Sequence, residues 1–166
     1  MRDSQIESKS NAGDQKMSLL KTVETPSSRT ALTSPHTSRV LAVPPTRAED
    51  AVRYFAKRLG VETDCSDVNA AHISGKVDFV LLDVRHRKLF EAGHVPGAIN
   101  IPVPTITEGR MAEYPPETVF VVYCAGSHCN GANKAALLLA EMGRPVKEMI
   151  GGVTGWIDEG LSLEPA

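Results

Sequence analysis

Two mainly apolar runs of strand length lie in the middle of the chain. The first is VDFVLLDV at 77–84, and the second is TVFVVY at 118–123. Such runs are typical of strands that are buried on both faces of a parallel sheet. Shorter apolar stretches predict three more strands, at 61–65, 98–101 and 145–150.

Helical patterns alternate with these strands. A first helix is predicted to begin at a capping box made by Thr46 and Glu49 and to end at Gly60. One face of that helix is apolar and carries Val52, Phe55, Ala56 and Leu59.

Two helices and one short helical segment are predicted farther along the chain. One helix begins at Ser66 or Asp67 and ends at Gly75, and helical turns follow at 88–92. Another helix has the sequence NKAALLLAEMG and ends at Gly143. The alternation of strands and helices predicts an α/β fold with a mainly parallel sheet.

The N-terminal region differs from the rest of the chain. Residues 1–39 are rich in Ser, Thr and Lys and show no periodicity, which predicts a flexible polar tail, either a docking segment or a dispensable one. Residues 40–61 are interpreted as an extended lead-in, RVLAVPP, followed by the extra N-terminal helix. The folded domain is then expected over 62–166.

The overall composition narrows the class of protein. A net charge of -2 gives no whole-molecule attraction to nucleic acid or to an anionic membrane. No apolar run approaches the roughly 20 residues of a membrane helix, and the polar N-terminus lacks a secretory signal. We therefore expect a cytoplasmic protein with no nucleic-acid or membrane partner.

Three cysteines, Cys65, Cys124 and Cys129, are too few and odd in number for a disulfide scaffold. Cys124 and Cys129 with His128 lack the further ligands of a structural zinc site, so no metal is predicted. Cys65 lies in the predicted strand at 61–65 and is interpreted as a core residue.

The junction after the second long strand carries the chemistry. Cys124 follows that strand directly, small residues come next, and a helix is predicted to start near Ala132. In parallel sheets, ligands bind at the carboxyl ends of strands. Inward-pointing N–H groups and the positive helix end would favour an anion there, so we expect a lowered pKa for Cys124. Cys129 is a rival nucleophile, a resolving thiol or an inert residue.

Four motifs occur in order: LLDVR at 81–85, GHVPGAINIP at 93–102, VVYC at 121–124 and GGVTGW at 151–156. Together they resemble the rhodanese-like domain of sulfurtransferases, over roughly residues 62–162. The resemblance implies a rhodanese-like α/β fold, in which a central, mainly parallel five-stranded sheet has helices on both faces.

The resemblance also implies a role for each matching residue. Cys124 would be the catalytic cysteine that holds a sulfane sulfur as a persulfide. Asp83 and Arg85 would form a paired brace beside it, His94 would be structural within its turn, and Trp156 would pack. The N–H groups that stabilise the persulfide would come from the active-site loop: Ala125, Gly126, Ser127, His128, Cys129 and Asn130.

Two features depart from that family's pattern. The loop before the helix looks about two residues longer than usual, as in relatives that act on phosphate or arsenate through Cys-x5-Arg. Asn130 occupies the arginine position, which disfavours those activities. The loop also has no Lys or Arg, so activity on thiosulfate is expected to be modest. Arg87 and Lys88 are candidates for anion contact, although solvated surface suits each of them better.

The function expected from these residues is sulfur transfer from thiosulfate, mercaptopyruvate or a persulfide to a thiol, protein or cyanide acceptor. Neither a metal nor an organic cofactor is needed for it. A non-catalytic partner-binding module and a Cys124/Cys129 thiol redox switch are the alternatives. The sequence does not indicate an oligomeric state.

Overall fold

A computed structural model describes residues 38–166. The tail predicted over 1–39 falls almost entirely outside those residues. The lead-in predicted as extended is different, because a turn occupies 39–41 and the Leu41 N–H donates to the Ser38 carbonyl. Within residues 38–166, no helix combines the length and the apolar character that crossing a lipid bilayer requires.

Helices and strands alternate along the chain, as the sequence predicted. The elements are α1 (Ala48–Val61), β1 (Glu62–Thr63), α2 (Cys65–Ser74), β2 (Phe79–Asp83), α3 (Arg87–Ala92), β3 (Ile99–Asn100), a 3-10 turn (Val103–Thr105), α4 (Glu108–Met111), β4 (Val119–Tyr123), α5 (Gly131–Glu141), β5 (Val146–Met149) and α6 (Gly152–Asp158). The final helix, α6, has about two turns.

The strands form one five-stranded sheet in the order β1-β5-β4-β2-β3, and every pairing is parallel. The predicted fold class is therefore confirmed. From β2 the chain moves to β3 at one edge of the sheet. It then returns to form β4 on the other side of β2, and β5 follows beyond β4. The reversal lies between β2 and β4, where Asp83 is in register with Tyr123. The carboxyl ends of strands beside such a reversal form a crevice, which is where α/β sheets bind ligands.

The core lies on both faces of the sheet. Alternate side chains of β4 point to opposite faces, so Phe120 and Val122 pack with α5, whereas Val121 and Tyr123 pack with α2 and α6. Trp156 is buried in the second of these clusters, as the closing motif predicted. Burial on both faces explains why the β2 and β4 sequences are continuously apolar.

Helix α1 differs from its prediction at both ends. Its N-cap is Arg47, with no side-chain hydrogen bond, so the predicted capping box at Thr46 was wrong. The helix also passes through Gly60, which costs only about 1 kcal/mol relative to alanine. An ion pair between Arg58 and Glu62 at 2.8 Å holds this end of the helix.

The apolar face of α1 is not covered by the described part of the chain. No residue of α1 is buried, and Val52, Phe55 and Leu59 are 67%, 56% and 72% exposed. Within residues 38–166, the apolar face that the sequence pattern indicated is therefore exposed. Residues 46–166, α1 included, form one compact unit, and the domain boundary at residue 62 stays a prediction.

Cys65 is a core residue, but it begins α2 rather than lying in a strand. The Asp64 side chain caps this helix by accepting from the Asp67 N–H at 2.8 Å. The Cys65 thiol lies 3.6 Å from the carbonyls of Ile150 and Gly152, and burial raises its pKa to about 11. A thiol with that pKa is almost fully protonated at neutral pH, so Cys65 is unreactive there.

Candidate active site

The site lies at the carboxyl ends of β2 and β4, beside the reversal in strand order. Cys124 is the first residue after β4, and Val84 is the first after β2. The Val84 N–H donates to the Tyr123 carbonyl at 3.1 Å, which ties the two strand ends together. The sheet thus places Cys124 at the crevice where the sequence predicted it.

The loop between Cys124 and α5 is shorter than predicted. Helix α5 begins at Gly131, so the loop comprises residues 125–130 and the apparent extra residues are helical. A turn within the loop is closed by the Cys129 N–H, which donates to the Gly126 carbonyl at 2.9 Å. The prediction of an extended loop was therefore wrong, because the helix begins before its first strongly apolar turn.

Main-chain amides point at the Cys124 sulfur. The N–H groups of Ala125 and Gly131 both bond to it and favour its thiolate. Gly131 has to be small, because a Cβ there would lie 2.8 Å from the Cys124 Sγ. The predicted cradle of loop and helix-end amides is therefore present, with Ala125 and Gly131 as its contributors.

The Cys124 thiol is nevertheless harder to ionise than a free cysteine. Its residue is only 7% exposed and belongs to the apolar cluster around Leu82 and Ala135. Burial is the largest cause and the interaction with the Cys129 sulfur is the second. Together they raise the pKa of Cys124 to about 11, although the two amides lower it. The expected lowering of this pKa was wrong, because desolvation of the thiolate outweighs the amide dipoles.

The pKa of Cys129 shifts in the opposite direction, below that of a free cysteine. The hydrogen bond from the Cys124 thiol, the Gly131 N–H and the charge of Lys134 are among the groups that lower the pKa of Cys129. Cys129 is half-buried, so its thiolate loses less hydration than that of Cys124. The two thiols form one S–H···S⁻ pair, in which the first negative charge falls mainly on Cys129.

We expect Cys129 to be alkylated before Cys124. A brief reaction with iodoacetamide from about pH 6 to 10 should label Cys129 at a lower pH than Cys124, because only thiolates react and the pKa of Cys129 is lowered. Cys124 and Cys65 should need a pH near 11. Fragment-ion mass spectrometry locates the label on each cysteine. Equal labelling of Cys124 and Cys129 at neutral pH would contradict the assignment of the charge.

The start of α6 forms a second wall behind Cys124. The N–H of Val153 donates to the Cys124 carbonyl at 3.1 Å, and the N–H of Thr154 donates to the Ala125 carbonyl at 2.9 Å. Gly152 adopts a φ of 56°, and a Cβ there would collide with the Cys124 carbonyl. These contacts hold the loop that follows Cys124 in place. The GGVTGW motif at 151–156 predicted a packing role for Trp156 but none for Gly152 or Thr154.

A hydroxyl of that wall can be tested directly. The Thr154 Oγ1 donates to the Ala125 carbonyl at 2.7 Å. Thr154→Val should lower the free energy of unfolding by about 1 kcal/mol. It should also speed alkylation of Cys124 at high pH, because the loop is held less firmly.

Ser74→Ala is the matched control, since the Ser74 hydroxyl also donates to a carbonyl, that of Ala71 at 3.1 Å, away from the loop. It should cost similar stability without changing Cys124 alkylation, measured by denaturant unfolding and peptide mass spectrometry. Identical alkylation rates in both variants would show that Thr154 does not restrain the loop.

Asp83 and Arg85 form the predicted pair. Asp83 is fully buried, and its carboxylate accepts from the Arg85 Nε at 3.0 Å and from a terminal nitrogen at 2.6 Å. Arg85 also donates to the Gly93 carbonyl at 2.7 Å. Burial would lower the pKa of Arg85, but the hydrogen bonds and charge of Asp83 outweigh it and raise that pKa. The charge of Arg85 therefore persists next to Cys124.

Asn100 completes this arrangement, and the sequence analysis did not identify it. Its side-chain amide donates to the carbonyls of Asp83 and Arg85, both at 3.0 Å. It thereby fixes the backbone that leaves β2 for the site. Its place at the end of the short strand in GHVPGAINIP was the available signal, because that strand is the neighbour of β2.

His94 is held within its turn. Its Nδ1 lies 3.1 Å from the Phe90 carbonyl, and its ring stacks on the Phe90 ring at 3.7 Å between centroids. Its backbone N–H donates to the Glu164 carbonyl at 2.9 Å. These contacts fit the predicted structural role, and His94 does not line the cavities that meet at Cys124 within residues 38–166.

An open pocket of about 490 Å³ leads to Cys124 between the loop and the end of β2. Leu89, Val103 and Pro104 provide apolar walls, while Arg85 and Lys134 provide cations. The loop itself contains no Lys or Arg, as noted from the sequence, but the neighbouring elements supply both. Modest activity on thiosulfate was predicted because the loop lacks cations. Arg85 and Lys134 supply positive charge to the pocket from outside the loop.

The remaining predicted site residues lie around this pocket or outside it. Ser127 and His128 line the outer side of the loop, in a separate open cavity of about 500 Å³ with Asn130. Arg87 is engaged with Glu91 at 2.7 Å and, like Lys88, does not line the Cys124 pocket. Within residues 38–166, no three side chains of His, Cys, Asp or Glu converge as a metal site would require.

Comparison with protein families gives one match. The sequence profile of the family described as "Rhodanese-like domain" matches residues 65–159, more than half of the chain. A solved structure of a protein from Bacillus halodurans is 36% identical, with a TM-score of 0.69, over 72% of this chain and 87% of that one. A thiosulfate sulfurtransferase of Pseudomonas aeruginosa is 26% identical, with a TM-score of 0.54, over 66% of this chain and 21% of that one.

Two curated relatives are larger proteins. An HTH-type transcriptional regulator of Mycobacterium tuberculosis is 37% identical over 87 residues, which are 52% of this chain and 38% of the regulator. An adenylyltransferase and sulfurtransferase of Meyerozyma guilliermondii is 36% identical over 90 residues, which are 49% of this chain and 21% of that protein. The chain thus spans well under half the length of either relative.

Proposed function

The chain belongs to the rhodanese-like domain family, and from this membership we propose that it transfers a sulfane sulfur through a persulfide on Cys124. One observation carries the proposal: Cys124 lies directly after β4 at an open pocket, against the start of α5, where a Cβ on Gly131 would lie 2.8 Å from its Sγ. The main-chain amides of Ala125 and Gly131 favour its thiolate. Amides that favour a thiolate also favour the negative terminal sulfur of a persulfide.

The first step forms one bond and breaks one. The Cys124 thiolate attacks the outer sulfur of the donor, and the bond between that sulfur and the rest of the donor breaks. With thiosulfate the leaving group is sulfite, and with mercaptopyruvate it is pyruvate after proton uptake. In the second step a thiol, a protein thiol or cyanide attacks the terminal sulfur, and Cys124 leaves as the thiolate.

Ionisation of Cys124 is the apparent obstacle, since its pKa is about 11. The hydrogen bond to Cys129 offers a route, because its proton can move to Cys129 and leave the charge on Cys124. A thiolate of high pKa is also intrinsically more nucleophilic. Arg85 and Lys134 would bind the negative end of the donor in the pocket. Asp83, which is fully buried, would hold Arg85 in place and take no part in bond breaking.

The test uses the full chain with Cys129→Ser, so that one thiol of the loop can carry sulfur. The variant is incubated with thiosulfate, mercaptopyruvate or glutathione persulfide, and its intact mass is measured. We expect a gain of one sulfur atom, and none in the double variant Cys124→Ser/Cys129→Ser. Because Cys65 is present in both proteins, it controls for non-specific sulfur uptake.

A partner-binding module is the second candidate. The similarity to part of a transcriptional regulator favours it, because the matched stretch there is one portion of a larger protein. It predicts no adduct with any donor. A thiol redox switch is a third candidate, favoured by the hydrogen bond between Cys124 and Cys129. It predicts loss of two hydrogen atoms with peroxide, prevented by Cys129→Ser.

The compartment and partners follow from the chemistry proposed. Persulfide transfer needs Cys124 as a free thiol, which a reducing compartment such as the cytoplasm maintains. The partners would be a small sulfur donor and a thiol or protein acceptor. Nothing in the proposed steps requires a metal or an organic cofactor.

A further inference from the structure

The proposed transfer uses one thiol of the loop, yet the loop contains two in contact. A single point, the position that a Cβ on Gly131 would occupy, is 2.8 Å from the Cys124 Sγ and 3.4 Å from the Cys129 Sγ. Both cysteines line the same pocket, and Cys129 packs against the apolar cluster that contains Cys124. Since Gly131 has no side chain, nothing separates them on this side.

Cys129 is the more exposed and the more readily ionised of the pair. It lines both the inner pocket with Cys124 and the outer cavity of the loop, so it is reachable from solvent. The Gly131 N–H and the Lys134 charge favour its thiolate and do not depend on a proton on Cys124. They would therefore still act after Cys124 has received a sulfur.

The backbone holds Cys129 in this position. Its N–H donates to the Gly126 carbonyl at 2.9 Å, and Gly126 is fixed in turn, because a Cβ there would collide with the Thr154 hydroxyl. A second nucleophile is thus kept next to the sulfur that carries the persulfide. The proximity of two reacting groups raises the rate of their reaction without new binding energy.

We infer that Cys129 resolves the Cys124 persulfide and releases sulfide. The Cys129 thiolate attacks the Cys124 Sγ, and a Cys124–Cys129 disulfide forms. The bond between the Sγ and the terminal sulfur breaks, and that sulfur takes up one proton from water and leaves as hydrosulfide with the electron pair. Two thiols are oxidised and the sulfane sulfur is reduced, so no outside oxidant is needed. The inference rests on the proposed persulfide at Cys124.

The step would make the domain self-limiting when no acceptor is present. Each chain would release one sulfide and then hold a disulfide that cannot accept sulfur again. An external thiol would restore the site by attacking the half-buried Cys129 sulfur, the more accessible of the two. A fast acceptor would instead remove the terminal sulfur first and keep the loop reduced.

The experiment is a single turnover of the full, reduced chain without oxygen or added thiol, with thiosulfate or mercaptopyruvate as donor. Sulfite or pyruvate reports loading, sulfide reports resolution, and intact mass reports the product. We expect about one sulfide per loaded chain and loss of two hydrogen atoms in the unmodified protein. Cys129→Ser and Cys129→Ala are compared with the unmodified protein per loaded chain, because Cys129 also takes part in ionising Cys124. Per loaded chain, both variants should keep the added sulfur and release less than about a tenth as much sulfide.

The outcomes separate the two proposals. If the unmodified chain loads but keeps the added sulfur as long as Cys129→Ser does, the resolving role is overturned and sulfur transfer stands. If a disulfide forms without an equal amount of sulfide, direct oxidation explains it and the resolving role is again overturned. If neither protein yields sulfite, pyruvate or an adduct, both the transfer function and this inference are overturned.

Discussion

Replacing Cys124 with serine should reduce sulfur transfer by on the order of 10³-fold or more, to the uncatalysed rate. A hydroxyl at this position cannot form a persulfide, while the pocket with Arg85 and Lys134 stays intact. The measurement is sulfide released from thiosulfate or mercaptopyruvate with dithiothreitol, which serves as acceptor and keeps the protein reduced.

The fold should tolerate this change. The serine hydroxyl can accept from the N–H groups that now face the sulfur, those of Ala125 and Gly131. We expect a loss of about 1 kcal/mol in the free energy of unfolding, because a polar atom replaces sulfur in an apolar cluster. Circular dichroism and thermal unfolding should therefore show a folded protein.

The rival nucleophile provides the decisive comparison. Cys129→Ser should still transfer sulfur to dithiothreitol, because the added thiol replaces the neighbouring one as acceptor. If Cys129→Ser abolishes transfer and Cys124→Ser does not, then Cys129 is the nucleophile. The comparison is needed because the lowered pKa of Cys129 makes its thiol the more readily ionised of the two.

Asp83→Asn should destabilise the protein by about 3–5 kcal/mol. The change keeps the shape of the side chain but leaves the charge of Arg85, which is 9% exposed, without its buried partner. At roughly 2–4 °C per kcal/mol, this corresponds to a lower melting temperature by roughly 10 °C. Thermal and urea unfolding measure the loss.

An exposed pair on α1 is the matched control. Asp50 and Arg53 also form an ion pair, but their side chains are 48% and 73% exposed. Asp50→Asn should cost no more than about 1 kcal/mol, because water screens that pair. Asp83→Asn with Arg85→Met should recover part of the loss by removing the unpaired charge. If Asp50→Asn and Asp83→Asn lowered the free energy of unfolding equally, burial of the Asp83–Arg85 pair would not increase its contribution to stability.

The sequence predicted those parts of the fold that depend on local pattern. Strands β2 and β4 are apolar on both faces, and only a central parallel strand uses such a run. The apolar face of α1 was recognised, but a one-dimensional pattern cannot show whether another element covers it. Cys65 was placed in a strand because the capping signal of Asp64, three residues before Asp67, was overlooked.

The same division applies to the site. Cys124 at a strand end before a helix is a local feature, and its position was predicted. Its pKa depends on how much water reaches the sulfur, which burial by distant residues decides. The contacts from Gly152 and Thr154 come from a segment far along the chain, and the Lys134 charge approaches from the helix rather than the loop. These effects require three-dimensional coordinates.

The wall made by the start of α6 has a consequence for the order in which the protein matures. During synthesis the ribosome exposes Cys124 before it exposes residues 152–154, whose amides and hydroxyl fasten the sulfur-bearing loop. A nascent chain that stops short of that segment presents two loosely held thiols without their anchored surroundings. The anchored loop on which the proposed persulfide chemistry depends can therefore form only after translation has passed the C-terminal helix.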